Sequence, residues 1–273
     1  MKSNYKYFFR QCLIWILSLI ITVGIAMYQR MTGPTYPITG KLVIEKQEIN
    51  FKFPRSSASD GNEIVKIKTP INISGTFKFK RFKSNDNWAE IPLIREGDYL
   101  TASIPHQPHA GKVIYNISLI YNNQTYKLSE KDVVIRYRGD VPVYVLIPHI
   151  IVIFLSMLFS VRTGFEAIYK QRRVYLYTLI TLILFIAGGF ILGPLVQKFA
   201  FDAYWTGWPI GTDLTDNKVA VSLLFWLIAF VKLRKDRTNV KWVYIAMFVF
   251  LIIFLVPHSM LGSEIDYTQQ VAK

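Results

Sequence analysis

The stretch that decides the fold is residues 141–161, VPVYVLIPHIIVIFLSMLFSV, which carries no formal charge and is followed directly by Arg162. As an α-helix rising about 1.5 Å per residue, it is roughly 30 Å long, which matches the hydrocarbon core of a bilayer. The residues before it, back to Met31, are polar and rich in short β-type runs, whereas most residues after it are apolar. The sequence therefore predicts a membrane protein with a polar domain ahead of its main helical part.

Further apolar runs extend this prediction to five transmembrane helices. The first run, residues 11–29, follows a basic start, and we interpret it as a retained anchor, with a signal segment as the alternative. The predicted domains are an N-terminal anchor, a periplasmic β-sandwich and a four-helix transmembrane bundle, at 1–30, 31–140 and 141–273. The bundle spans are predicted at about 141–161, 174–197, 213–231 and 242–260.

The distribution of charge predicts the topology. The chain has a formal net charge of +14, and its basic residues concentrate in short segments before the first run, after the second and after the fourth. Cytoplasmic loops carry such an excess of Lys and Arg, so we predict a bacterial inner-membrane protein with its N-terminus in the cytoplasm and its C-terminus in the periplasm. Membrane lipid is then the expected partner of the basic segments, and we expect no nucleic acid partner.

The sequence pattern of the polar domain predicts an all-β fold. Short runs with alternating or β-branched character are separated by clusters of turn residues, and seven such runs in about a hundred residues favour a β-sandwich. The predicted strands are residues 40–45, 48–53, 63–68, 71–82, 99–104, 113–121 and 133–137.

Two resemblances accompany this interpretation. The segment DYLTASIPHQPHAGKVIYNISLIY, residues 98–121, resembles a strand–turn–strand of fibronectin-III or immunoglobulin-like modules in bacterial surface proteins, over roughly residues 86–138. The stretches VIRYRGDVPVYVLIPH, WTGWPIGTDLTDNK and PHSMLGSEIDY also resemble a family of bacterial membrane proteins. The first resemblance implies a sandwich fold, and the second implies a membrane location without a particular activity.

A set of polar residues is predicted at one depth near the outer ends of three helices. His149 lies about 12 Å along the second span, given 1.5 Å per residue. His258 follows the last apolar run, and Asp216, Asn217 and Lys218 lie at the outer end of the fourth span. Ionisable groups at such depth are costly and usually face the interior of a bundle, which makes this layer a candidate functional site.

Three interpretations of the layer stay open. In the first, His149 and His258 bind a b-type haem or a metal ion, because imidazole is the commonest metal ligand and haem sites in bundles use histidines from facing helices. In the second, His149, Asp216 and Lys218 handle protons or ions. In the third, the layer is structural and each group is hydrogen-bonded to a neighbouring helix or to interfacial water.

Acidic residues outside the spans suggest an oxygen-ligand metal site. Oxygen ligands of this kind suit a calcium-like ion, and the candidate ligands are Asp213, Asp216, Glu264 and Asp266, with Asp202 nearby in the same outer segments. The alternative is that these carboxylates cap helices or are solvated. His106 and His109, on either side of Pro108, form a weaker metal candidate in a predicted turn.

No motif in the sequence identifies a reaction. Cys12 is the single cysteine, and neither a Gly-rich phosphate loop nor a His-Glu-x-x-His motif is present. The enzyme class is therefore left open. Our first hypothesis is a scaffold or accessory subunit whose β-sandwich binds a periplasmic or membrane protein partner; the alternative is a redox protein with haem b or a metal at His149 and His258. A transporter is disfavoured because no inverted repeat is evident.

Overall fold

The computed structural model describes residues 2–58, 60–169, 172–257 and 264–269. The chain divides into two compact units. The helical unit contains Met1–Gly33, Val141–Phe199 and Ala203–Gly262, and the β unit contains Pro34–Asp140, Ala200–Asp202 and Ser263–Lys273. The β unit therefore includes two short segments from later in the chain, one at the end of the helix Gly193–Phe201 and one after the helix Lys241–Leu255, in addition to the predicted domain.

The described residues of the helical unit form five helical segments. The third is continuous from Val174 to Phe201 and contains a π-helix between two α-helices. The helices are α1 (Lys2–Thr32), α2 (Val143–Ile168), α3 (Val174–Phe185), the π-helix (Ile186–Leu192), α4 (Gly193–Phe201), α5 (Leu214–Lys235) and α6 (Lys241–Leu255).

Four of these segments are long and apolar enough to cross a membrane, namely Tyr5–Thr32, Val143–Ile168, Val174–Phe201 and Leu214–Lys235. The fifth, α6, has 15 residues. A spanning helix needs about 20 residues, so α6 by itself is shorter than the span predicted at 242–260, of which residues 258–260 lie outside the described part. The prediction of a mixed chain, apolar helices together with a β domain, is confirmed.

The interior of the helical unit is built from aromatic side chains on three different helices. Phe185, Trp226 and Phe250 are completely buried, and the rings of Phe185 and Phe250 meet edge to face with centroids 4.9 Å apart. Because such rings bury large apolar areas in a specific geometry, they define how α3, α5 and α6 pack.

The described residues of the β unit form eleven strands. They are β1 (Ile38–Ile44), β2 (Gln47–Phe53), β3 (Ser56–Ser57), β4 (Glu63–Lys68), β5 (Ser74–Arg81), β6 (Ala89–Pro92), β7 (Ile94–Glu96), β8 (Tyr99–Ile104), β9 (Lys112–Tyr121), β10 (Gln124–Lys127) and β11 (Val133–Tyr137). All seven predicted strands are present. The largest difference is at β5, which begins at Ser74 because a turn closes with a hydrogen bond from the Ile73 amide to the Pro70 carbonyl (3.2 Å).

Three sheets surround one apolar core. They are the hairpin β1–β2, the three-stranded sheet β4-β8-β7, and a six-stranded sheet ordered β3-β11-β9-β5-β6 in which β10 also pairs with β9. Residues of β9 alternate strictly, so that Val113, Tyr115, Ile117 and Leu119 are buried while their neighbours in sequence are not. This period of two is the expected signature of a strand with one face on the core.

Candidate functional sites

The segment Asp213–Lys218 is the part of the predicted polar layer that the structure describes most fully. Asp213 is the N-cap of α5, and its carboxylate accepts hydrogen bonds from the amides of Thr215 (2.7 Å) and Asp216 (3.4 Å). A side-chain oxygen in this position satisfies amides that have no partner within the helix. Capping was the predicted alternative to metal binding for Asp213, and the structure gives it that role.

Asp216 and Asn217 hold the loop that precedes α5. The Asp216 carboxylate accepts hydrogen bonds from the Thr206 amide (2.6 Å) and from the Gln197 side chain (3.1 Å). The Asn217 side-chain oxygen accepts one from the Trp208 amide (2.7 Å). Thr206 and Trp208 belong to the loop before α5, whereas Gln197 is on α4. Both residues therefore fix the loop against the first turn of α5, and Asp216 also joins that turn to α4.

Lys218 contacts the end of α6. Its ammonium group donates to the carbonyl oxygens of Val256 (2.8 Å) and Pro257 (3.4 Å). The side chain of Gln29, on α1, donates to the Phe254 carbonyl (2.9 Å). The last carbonyl oxygens of an α-helix accept no hydrogen bond from within the helix. A cation at this end also complements the helix dipole. The two side chains therefore cap α6 from two neighbouring helices.

His149 is held against the π-helix. Its Nδ1 atom lies 3.0 Å from the carbonyl oxygen of Gly188, which can only accept, so Nδ1 carries the proton. A neutral imidazole in this tautomer presents Nε2 as an acceptor or ligand atom, and a hydrogen bond from the other nitrogen is the usual support of a metal-binding histidine. His258 lies outside the described residues, so the predicted pair with His149 stays a prediction.

The π-helix allows close packing against α2. A Cβ atom added at Gly188 would lie 2.9 Å from two side-chain carbons of Ile153. A π-helix is not predicted from the sequence, where the available signal is the adjacent pair Gly188 and Gly189, small residues that allow close helix packing. π-helical turns inside α-helices often occur at functional positions, and this one supplies the carbonyl that orients His149.

The four predicted carboxylate ligands divide between the two units. Asp213 and Asp216 belong to the helical unit, whereas Glu264 and Asp266 belong to the β unit. Asp266 accepts a hydrogen bond from the amide of Thr268 (2.9 Å). Within the described residues, no three His, Cys, Asp or Glu side chains form a group that would hold a metal ion.

Glu264 joins the chain segment 264–269 to the β-strands. Its carboxylate forms ion pairs with Lys83 and Lys112. Burial alone would raise the pKa of Glu264, but hydrogen bonds from Lys112 and Lys83 outweigh it and lower the pKa. Next to it, the Tyr267 amide donates to the Lys83 carbonyl (2.9 Å), and the guanidinium of Arg81 lies 4.5 Å from the Tyr267 ring centroid. The segment is thus anchored within the β unit by charge, backbone and ring contacts.

His106 and His109 have separate partners in the β unit. The Nδ1 atom of His109 lies 2.7 Å from the Asp202 carboxylate. The ring of His106 contacts the ring of Tyr137 edge to face, with centroids 5.2 Å apart. Each ring therefore has its own contact within the β unit.

A buried ion pair in the helical unit was missed by the sequence analysis. Arg162 Nη1 lies 2.7 Å from Glu166 Oε2, and both side chains are almost fully buried. Arg162 follows the span predicted at 141–161, but α2 continues to Ile168 and carries both residues into the interior. The available signal was their spacing, since opposite charges four residues apart lie on one helix face.

Contacts from other helices surround Arg162. Its Nη2 group donates to the side chain of Gln11 on α1, and its guanidinium lies 5.3 Å from the Trp15 ring centroid and 5.0 Å from that of Tyr177. The backbone amide of Arg173 donates to Glu166 (3.2 Å). This cluster links α1, α2 and α3.

The outer face of the six-stranded sheet carries a groove of about 540 Å³. Trp88, a residue that is 42% exposed, lines it, and the Lys80 ammonium lies 5.6 Å from the Trp88 ring centroid. Apart from Ile120, the remaining lining residues are polar, namely Thr76, Lys78, Glu90, Asn116, Ser118, Thr125, Lys127 and Asp132. We call this surface the Trp88 groove.

Comparison with protein-family models, with curated proteins and with solved structures finds no match to this chain. The candidate sites therefore rest on the residues and geometry of the chain itself.

Proposed function

We propose that this chain is an integral inner-membrane protein whose β unit binds a protein partner through the Trp88 groove. The four long apolar segments support membrane insertion, because each reaches the length that a bilayer requires. Lys and Arg are concentrated before the first apolar run, after the second and after the fourth, which are the segments on one side of the proposed membrane. This distribution supports a cytoplasmic N-terminus and a periplasmic β unit. In this proposal the β unit is a fibronectin-III or immunoglobulin-like sandwich.

The observation that carries the proposal is the exposed indole of Trp88 within a polar groove. Tryptophan is among the residues that most often dominate the binding energy at protein interfaces, where the contacts around it exclude water. The groove also contains Asn116, whose side-chain oxygen is buried without a hydrogen-bond partner among the described residues. A partner with a donor group at this point would satisfy that oxygen, so the groove suits a polypeptide that brings both apolar and polar groups.

Site-specific photo-crosslinking in intact membranes tests the proposal. A photoreactive amino acid at Thr125, which is exposed in the groove, should give a crosslinked band. Trp88→Ala should weaken that band strongly, because truncation of a hot-spot residue costs about 2 kcal/mol or more. The same amino acid at the exposed Lys66, in the three-stranded sheet, is the matched control and should give none. No band from Thr125, or an unchanged band in Trp88→Ala, would contradict the proposal.

A redox protein with haem b or a metal ion at His149 is the second candidate function. The tautomer imposed by the Gly188 carbonyl favours it, since Nε2 is left with a lone pair for a ligand. The visible absorption spectrum of the purified protein, oxidised and reduced, tests this candidate. A haem band that is lost in His149→Ala and in His258→Ala would support it, whereas a colourless protein without bound metal would exclude it.

A further inference from the structure

Three helices of the helical unit each contribute two polar side chains to the interior. On each helix the two are three or four residues apart, which places them on one face. All six are completely buried. We call them the polar seam: Ser160 and Thr163 on α2, Thr178 and Thr181 on α3, and Ser222 and Trp226 on α5.

Two contacts between helices set the relative heights of the six residues. The hydroxyl oxygens of Thr163 and Thr181 are 3.4 Å apart, which sets the register of α2 and α3. The stacked rings of Tyr175 and Phe230, with centroids 5.5 Å apart, set the register of α3 and α5.

Counting from the Tyr175–Phe230 level at about 1.5 Å per residue gives approximate heights. Thr178 and Trp226 lie at about 5–6 Å, Thr181 at about 9 Å and Ser222 at about 12 Å on this scale. Through Thr163, Ser160 lies at about 13–14 Å on the same scale. The six side chains therefore lie at successive heights on three helices, of which α3 packs against both α2 and α5.

Four of the six groups have no hydrogen-bond partner among the described residues. They are the hydroxyls of Ser160, Thr178 and Ser222 and the indole nitrogen of Trp226. An unsatisfied buried donor or acceptor costs about 1–3 kcal/mol, so four of them on α2, α3 and α5 are not expected without a bound group. Buried polar atoms that lack protein partners are commonly satisfied by internal water.

The charge around the seam identifies the class of the bound group. Glu166 lies three residues from Thr163 on α2, and its charge is balanced by Arg162 at 2.7 Å. A region without net charge favours neither a cation nor an anion. The indole N–H of Trp226 can only donate, whereas hydroxyls donate and accept, so the bound group must do both. We propose that the polar seam binds a chain of internal water molecules between α2, α3 and α5.

Radiolytic labelling of the full-length protein in detergent tests this proposal without any substitution. Hydroxyl radicals formed from bound water modify the side chains beside it. We expect Trp226 to be modified although it is fully buried, while the equally buried Phe53 of the β core is not. After rapid mixing into water enriched in the heavy oxygen isotope, the oxygen atom added to Trp226 should still be the light isotope, because bound water exchanges slowly with bulk water. Absence of modification at Trp226 would overturn the proposal. An added oxygen whose isotope changes as rapidly at Trp226 as at the exposed Trp88 would also overturn it.

Substitutions provide the second measurement. Ser160→Ala and Ser222→Ala should each reduce the Trp226 label by about half, because a buried water relies on roughly three hydrogen bonds. The matched control is Ser18→Ala, since Ser18 is equally buried but donates to its own helix at Ile14 (2.8 Å). An undiminished label in both seam variants would overturn the proposal. Loss of the label when chloride replaces sulfate would also do so, because it would indicate an anion site.

Discussion

The ammonium group of Lys218 donates a hydrogen bond to the main-chain carbonyl oxygen of Val256 at 2.8 Å. The donor is in the second turn of α5, and the acceptor directly follows the last residue of α6. A residue that the sequence marks as a candidate for ion handling thus serves as the cap of a short helix. The contact links two helices whose ends are distant in sequence.

The first prediction concerns this cap. Lys218→Met keeps most of the side-chain volume but removes the donor, so the carbonyls at the end of α6 lose a charged partner. We expect the free energy of unfolding to fall by about 1–3 kcal/mol. The measurement is thermal or denaturant unfolding in detergent. The control is Lys232→Met, because Lys232 is on the same helix but exposed, and it should have little effect. Equal stability of the two variants would rule out the capping role.

The second prediction compares two glycines. A Cβ atom at Gly188 would lie 2.9 Å from side-chain carbons of Ile153 and 3.2 Å from its backbone nitrogen. Gly188→Ala should therefore lower the free energy of unfolding by about 1–3 kcal/mol, as overpacking does. A Cβ atom at Gly24, on α1, would meet no described heavy atom within 4 Å. Gly24→Ala should be neutral or stabilising by up to about 1 kcal/mol, since alanine is the better helix former.

The decisive result is a change in the free energy of unfolding that has opposite signs in Gly188→Ala and Gly24→Ala. Thermal unfolding of both variants and of the parent protein in the same detergent measures this difference. If Gly188→Ala is as stable as the parent protein, the close approach of α2 to the π-helix does not exist in solution.

The third prediction concerns the buried pair Arg162–Glu166. Arg162→Met leaves the Glu166 carboxylate buried without its cation, which should cost about 3–5 kcal/mol. The double variant Arg162→Met, Glu166→Leu removes both charges and should be more stable than the single variant. Unfolding of the parent, both single variants and the double variant gives the coupling energy. Arg172→Met, at an exposed arginine, is the control. Additive single effects would refute direct coupling of the pair.

The fourth prediction concerns pH and the segment 264–269. The pKa of Glu264 is lowered in the folded state, below its ordinary value of 4.5. Its ion pairs with Lys83 and Lys112 therefore stabilise the segment fully above pH 4.5 and are lost as the pH falls through the lowered pKa. Asp266, whose pKa is also lowered, by hydrogen bonds from Thr268, titrates in the same direction.

Hydrogen exchange of this segment, corrected for the intrinsic effect of pH, measures the fourth prediction. Protection of the Tyr267 amide, which donates to Lys83, should decrease as the pH falls below 4.5. In Glu264→Gln the protection should be weaker at neutral pH and change less in acid. Glu130→Gln, at an exposed residue, should behave like the parent protein. A pH profile that Glu264→Gln leaves unaltered would count against the ion pairs as the anchor.

Much of the fold follows from local patterns in the sequence. Apolar runs that reach bilayer length, and alternating runs such as β9, require only periodicity and composition to be recognised. The exact ends were harder to predict. Continuation of α2 past Arg162 and the late start of β5 depend on a buried ion pair and on a turn, and neither is visible in a window of hydropathy.

The candidate sites likewise depend partly on local sequence and partly on tertiary contacts. By itself the sequence determined that polar residues such as His149, Asp216 and Lys218 fall on apolar helices, because position along a helix follows from residue count. Only the tertiary structure decided that Lys218 caps α6, that His149 meets the Gly188 carbonyl, and that six polar side chains of three helices share one interior. The physical reason is that hydrogen bonds of side chains join atoms far apart in sequence, and their partners are chosen by packing rather than by local propensity.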